Sequence, residues 1–217
     1  MQKVIHWDCL DVMREMEDNS VDLVLTDPPY GIGVDKKMKS WAHKKSLNWK
    51  AYKKDYWETN RDSARPKKVY FDEIQRVSKK AIVFGGNYFS SDLPDSSCWL
   101  VRNKNTNGNF ADCELAWTNF TTAVRKFDWT RNGMLQEDMK NKEHREHPTQ
   151  KPKALMRRIL ENYSKEWMTI LDPFAWSWTT GVACKELWRN YILIEKEKKY
   201  IDVINKRLEN TTVSLFH

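Results

Sequence analysis

The sequence predicts a mostly parallel, three-layer α/β protein, and two observations carry that prediction. Short apolar runs rich in β-branched residues alternate along the chain with segments of helical period. The residues with chemical potential all follow those runs: Asp8, Asp27 to Tyr30, Gly85 to Asn87, Asp172 onward, and Glu195. In such sheets ligands sit beyond the carboxyl ends of the strands.

The elements follow in order. Val4 to His6 and Val21 to Thr26 read as strands, and between them CLDVMREME sets Leu10, Val12, Met13 and Met16 at helical spacing. Asp27-Pro28-Pro29-Tyr30 stops the second strand, since two prolines cannot stay in a central ladder. Residues 34–54 hold eight lysines and one aspartate, interleaved with Trp41, Trp49 and Tyr52, and read as an exposed insertion. Val69 to Val77 is helical in period, and Ala81 to Phe84 is a buried strand. Cys98 to Val101 and Cys113 to Thr118 pair around an Asn- and Gly-rich turn, and residues 129–146 read as loop. Ala154 to Tyr163 is an amphipathic helix with Leu155, Ile159 and Tyr163 on one face. Met168 to Leu171 is a strand, Thr180 to Trp188 a helix, Tyr191 to Ile194 a strand and Lys198 to Leu208 a helix.

Composition bounds the rest. The 217 residues fit one domain, 1–217. A net charge of +7 biases the chain toward polyanions. Cys9, Cys98, Cys113 and Cys184 are scattered without metal-ligand spacing, so free thiols and no metal are expected. No stretch approaches the ~20 apolar residues of a membrane span, and the first residues turn polar too soon for a signal peptide. The expectation is a soluble, cytoplasmic protein. Average usage would give roughly 15 glycines in such a chain. The sequence has 7, beside 11 tryptophans.

Asp27-Pro28-Pro29-Tyr30 is the most informative tetrapeptide. A carboxylate and a proline-fixed carbonyl at a strand end place two acceptors close together, and Tyr30 adds an aromatic face. That set suits a planar ring bearing an exocyclic amine, whose two hydrogens it can accept. A plain strand-terminating turn is the competing reading of an isolated DPPY. The four ordered segments IHWDCLDVMREMEDNSVDLVLTDPPYG, VSKKAIVFGGNYF, HPTQKP and ILDPFAWSWTTGVACKELWRNYILIE resemble the N6-adenine/N4-cytosine DNA methyltransferases. Their order, with the target-base motif first and the cofactor loop last, is that of the permuted β group.

The resemblance implies a Rossmann-like methyltransferase fold with a seven-stranded sheet in a bacterial or phage-like setting. It also implies methyl transfer from S-adenosylmethionine (SAM) to an amine of a base flipped out of double-stranded DNA. Asp27 and the Pro28 carbonyl, followed by Pro29, would bind the amine, and Tyr30 would stack on the base. DPPY favours adenine N6; cytosine N4 is the alternative within the family. On the cofactor side the resemblance implicates Asp8, Asp172, Phe174, Trp176, Ser177, Trp178, Thr179, Thr180 and Glu195, with Thr149, Gln150 and Lys151 bordering the methionine end. Lys36, Lys37, Lys44, Lys45, Lys53 and Lys54 suit phosphate contacts. The insertion at 34–66 and the loops at 128–146 are the expected target-reading elements. Relatives in the β group often dimerise, which leaves a homodimer open.

The chain departs from the family where glycine is expected: Trp7, Trp167, Trp176, Trp178 and Trp188 stand at those positions. Such a loop needs glycine to reach positive φ and to approach a ligand. One reading is translational, a glycine codon such as UGA written as tryptophan. A second is a decayed or repurposed relative that keeps the fold and DNA surface but cannot bind SAM. A third is a plain basic DNA-binding module with DPPY as a turn. Arg61, Arg102 and Arg131 also differ from the family's frequent Trp.

Overall fold

The computed structural model describes residues 1–33, 64–105, 111–128, 131–132, 135–136 and 150–212. The six lysines expected at the DNA backbone and Thr149 lie outside the described residues, as does most of the insertion.

In chain order the strands are β1 (Gln2–His6), β2 (Leu23–Thr26), β3 (Ala81–Phe84), β4 (Trp99–Asn103), β5 (Cys113–Thr118) and β6 (Arg125–Asp128). They continue with β7 (Arg131–Asn132), β8 (Leu135–Gln136), β9 (Thr169–Asp172) and β10 (Asn190–Glu195). The helices are α1 (Cys9–Arg14), α2 (Lys68–Val77), α3 (Lys153–Tyr163), α4 (Thr179–Glu186) and α5 (Lys198–Glu209). One sheet of eight strands runs β1-β10-β9-β2-β3-β5-β4-β6. The first five neighbours are parallel, β5 runs antiparallel to both β3 and β4, and β6 pairs parallel to β4.

Successive strand residues point to opposite faces, and the sheet separates two cores on that rule. Leu23, Leu25, Ile82, Phe84, Ile170 and Leu193 face α3, α4 and α5. Val24, Ala81, Val83, Leu171, Ile192 and Ile194 face α1 and α2. The three layers therefore match the sequence expectation.

Three expectations need correction. Seven strands were expected, and the eighth is β6, an RKFD strand at the sheet edge where only Phe127 is buried. An edge strand covered on so little of its surface needs no apolar run, so it left no periodic signal. Residues 129–146, expected as loop, include the β7–β8 antiparallel pair. The last expected turn of the helix at 180–188 is also absent. α4 ends at Glu186 and Trp188 turns left-handed at φ 58°.

Strand order reverses between β2 and β9. Both are followed by loops carrying chemistry, residues 27–31 and 173–178, so the site forms at this switch point.

Candidate functional site

β2 delivers Asp27 into a buried position, 7 % exposed. The Tyr30 hydroxyl donates to Asp27 Oδ1 at 2.6 Å, and Lys151 Nζ donates to the same oxygen at 2.9 Å. Lys151 also donates to the Tyr30 oxygen at 3.0 Å. A carboxylate has about four lone-pair sites, so Asp27 can hold these donors and accept more. Burial first, then the charges of Asp27 and Glu114, push the Tyr30 phenol well above its ordinary value. It therefore remains a neutral hydroxyl donor.

Tyr30 packs down on Gly85, where a Cβ would run into its ring, and Gly85 takes φ 67°. Here glycine is required both for the turn and for the approach. Tyr88 stacks on Tyr30 with ring centres 4.9 Å apart and planes 19° apart. The aromatic face expected at Tyr30 is thus already engaged by a neighbouring ring.

Behind Lys151 lies Glu114 on β5, its Oε2 3.9 Å from Lys151 Nζ. Arg102 and Lys104 pair with the same carboxylate at 2.8 and 3.0 Å. Burial acts to raise Glu114, but the Lys151, Arg102 and Lys104 charges outweigh it and hold the carboxyl below the usual range. Arg102, without an account in the sequence, is here a buried partner of Glu114.

The second cluster is joined to the first through Thr26. Its hydroxyl donates at 2.7 Å to Oδ1 of Asp172, which ends β9, and the Phe174 N–H reaches that oxygen at 3.1 Å. Burial pushes the Asp172 carboxyl up to about 6, only partly opposed by these hydrogen bonds, and nearby Asp27 adds to the rise. Glu195 ends the adjacent β10, buried, with its Oε1 accepting the Glu197 N–H at 2.7 Å. Asp8 follows β1, the next strand, and caps α1 by accepting the Leu10 N–H at 2.9 Å. Three acids thus stand at the ends of three neighbouring strands. Ser177 and Thr179 are linked through their hydroxyls at 3.0 Å, and Thr180 is buried beside them. Phe174 packs against Tyr70, and Gln150 is buried next to Lys151.

The loop between Asp172 and α4 keeps a glycine-type path. Trp178 is the N-cap of α4 at φ 53°, in the left-handed region. Trp188, following the α4 C-cap, takes φ 58°, the geometry of the C′ position that glycine dominates. Trp167 takes φ 67° in the turn before β9. Trp7 and Trp176 do not adopt positive φ, so conformation alone does not demand glycine there. The Trp178 indole lies in the α3–α5 core with Arg207 4.9 Å over its ring, and its buried Nε1 has no hydrogen-bond partner among the described residues. The side chain expected at the cofactor thus packs in the helix layer. By contrast Trp117, in an ordinary strand conformation, donates its indole N–H to Pro94 O at 2.8 Å.

Lys151, expected to border the cofactor's methionine end, stands in the Asp27–Tyr30 pocket. Sequence reasoning missed Thr26 and Glu114. Thr26, a fully buried polar residue ending an apolar strand, carried a readable signal; Glu114, one acid in an alternating strand, did not.

An α/β fold with acid-bearing strand ends at its switch point is the architecture of a ligand-binding site, and comparison with known proteins gives the family. Residues 41–206 match the N6/N4 family described as DNA methylase, and the chain belongs to that family. It is 27 % identical over 241 residues to the Type II methyltransferase M2.DpnII of Streptococcus pneumoniae, covering 95 % of this chain and 89 % of that protein. Type II methyltransferase M.HinfI of Haemophilus influenzae is 26 % identical over 251 residues, with 96 % and 68 % covered. Among solved structures, the M1.HpyAVI–SAM complex superposes with TM-score 0.53 at 24 % identity, covering 96 % of this chain and 99 % of that one. The cytosine-N4-specific PvuII DNA methyltransferase superposes with TM-score 0.62 at 13 % identity, covering 98 % and 88 %.

The acids test the fit of the cofactor such a family implies. Asp172 and Glu195 are buried carboxylates at adjacent strand ends, an acceptor set suited to a cation and to hydroxyls. The loop path at Trp178 is retained, with its indole turned into the helix layer. The buried Trp176 indole adds bulk where the family has none. The polar set fits.

Among the described residues no helix is long and apolar enough to cross a membrane.

Proposed function

We propose that this chain is a site-specific, SAM-dependent DNA methyltransferase acting on the N6 amine of adenine in duplex DNA. The observation that carries the proposal is the buried Asp27–Tyr30 pair at the end of β2, next to Thr26, whose hydroxyl donates to the neighbouring Asp172. Bound SAM supplies an electrophilic methyl group. The chain's task is then to present the amine in line with it, and positioning of this kind carries much of the barrier reduction. Asp27 and the Pro28 carbonyl accept the amine hydrogens, which directs the nitrogen lone pair outward. Tyr30 orders Asp27 through its hydroxyl and offers its ring to the base once Tyr88 yields. Asp172 would hold the methionine part of the cofactor and Glu195 the ribose hydroxyls, with Asp8 near the adenine. The lysines at 36, 37, 44, 45, 53 and 54 hold phosphates, in keeping with the net charge of +7.

A second reading is a catalytically impaired relative that still binds DNA. The buried indoles at 176 and 178 favour it. Methylation of a defined duplex library separates the readings, using the chain and a version carrying Trp7→Gly, Trp167→Gly, Trp176→Gly, Trp178→Gly and Trp188→Gly. Locating the modified positions reports base, atom and site together. N6-methyladenine at one sequence motif is expected; N4-methylcytosine would move the assignment to the cytosine branch. No methylation from either protein would overturn the enzyme reading.

A further inference from the structure

Lys151 is 4 % exposed and charged, a costly combination unless its hydrogens meet acceptors. Its ammonium points at Asp27 Oδ1 (2.9 Å) and the Tyr30 oxygen (3.0 Å), with Glu114 next at 3.9 Å. It also lies over the rings of Tyr30 and Phe84, 5.4 and 5.1 Å from their centres. Every one of these partners belongs to the β2, β3 or β5 side of the site. None of these contacts is made by the acids Asp172, Glu195 or Asp8.

The geometry has a direction. The Tyr30 hydroxyl donates its hydrogen bond to Asp27, so its oxygen accepts from Lys151, and Lys151 donates to Asp27 as well. The three groups form a closed triangle. Rotating the Asp27 carboxylate or the Tyr30 phenol breaks two of its three bonds, so the ammonium fixes both orientations relative to each other. The anionic Glu114, held by Arg102 and Lys104, backs the ammonium from behind.

We infer that Lys151 is a positioning residue of the methyl-acceptor pocket, aligning Asp27 and Tyr30 for the exocyclic amine, and is not a cofactor ligand. The inference rests on the reading of Asp27 as the amine acceptor.

The test compares two nucleosides that differ by one group, deoxyadenosine and purine deoxyriboside, which lacks the 6-amine. Their affinities for the full chain are measured by NMR titration, alongside calorimetric titration with SAM in the Trp176→Gly/Trp178→Gly background, with and without the Lys151 change; deoxycytidine and its 4-desamino analogue are run the same way. The unmodified protein is expected to prefer an amine-bearing nucleoside. Lys151→Met should cut that preference about tenfold, the size of one charge-assisted hydrogen bond, with SAM affinity within about twofold of the parent. Lys151→Arg should recover part of the preference. A residue that merely supports the fold would weaken both nucleosides and SAM together, leaving the ratio unmoved. Should Lys151→Met fail to fold, Lys151→Gln keeps a donor and the ratio is read from it. An unchanged ratio, or a loss confined to SAM, overturns the inference alone. Absence of any amine preference in the unmodified protein overturns the acceptor reading and the inference with it.

Discussion

The two halves of the site share one hydrogen bond, Thr26 to Asp172, yet differ in how well residue type suits backbone. In the acceptor half, the left-handed positions at Gly31 and Gly85 are glycines, and the Tyr30 ring uses the space a Cβ on Gly85 would fill. In the cofactor half, the left-handed position is Trp178, a bulky residue in a conformation that L side chains rarely adopt. The acceptor half therefore looks finished: each polar group of Asp27, Tyr30 and Lys151 meets another. The cofactor half keeps a glycine path with tryptophan on it. Backbone conformation here records the residue the fold was built around more faithfully than the side chain does. Trp167 and Trp188 repeat the pattern away from any ligand, which points to a cause common to all these positions, not to selection at the site. Glycine codons written as tryptophan meet that requirement. Ordinary UGG codons in the gene at 7, 176, 178 and 188 would remove it.

The comparison can be broken most severely in the acceptor half. In the glycine-restored protein, Asp27→Ala should lower single-turnover methyl transfer by at least about a hundredfold, through lost positioning, with SAM affinity little changed. Equal losses in transfer and in SAM affinity would merge the two halves into one.

Asp172 gives a pH-dependent test of the other half. Its carboxyl sits at about 6 in the folded chain against an ordinary 3.8. The folded state therefore holds the proton more tightly, and stability falls as pH rises from near 4 through 6. Above that the buried charge costs on the order of 3 kcal/mol. Asp172→Asn should be more stable than the parent at pH 7.5, with the advantage vanishing toward pH 4, as read by denaturant unfolding at both values. An advantage that does not change with pH would place the carboxyl outside this role.

The tryptophans supply a graded series. Trp188→Gly and Trp167→Gly should each stabilise by roughly 1–3 kcal/mol, the usual cost of a strained backbone position, with melting temperature rising about 2–4 °C per kcal/mol in a chain of this size. Trp7→Gly should change stability by less than about 0.5 kcal/mol, because Trp7 is exposed and not left-handed. A Trp7 effect as large as that of Trp188 would detach the strain from φ.

Much of this was legible in the sequence for a physical reason. Buried parallel strands must be continuous apolar runs, so β2, β3, β9 and β10 announced themselves. The misplaced tryptophans were visible because loop and cap positions have a strict chemistry. β6 was hidden because an edge strand needs little apolar surface. The contact of Lys151 with Asp27 was hidden, since it crosses 124 positions and spacing carries no record of that.

The central claim is that the cofactor loop has the right path and the wrong side chains. Calorimetric titration with SAM of the chain beside its Trp176→Gly/Trp178→Gly version tests it directly. The account predicts weak or undetectable binding by the former and micromolar binding by the latter. Equal micromolar affinity in both would contradict it.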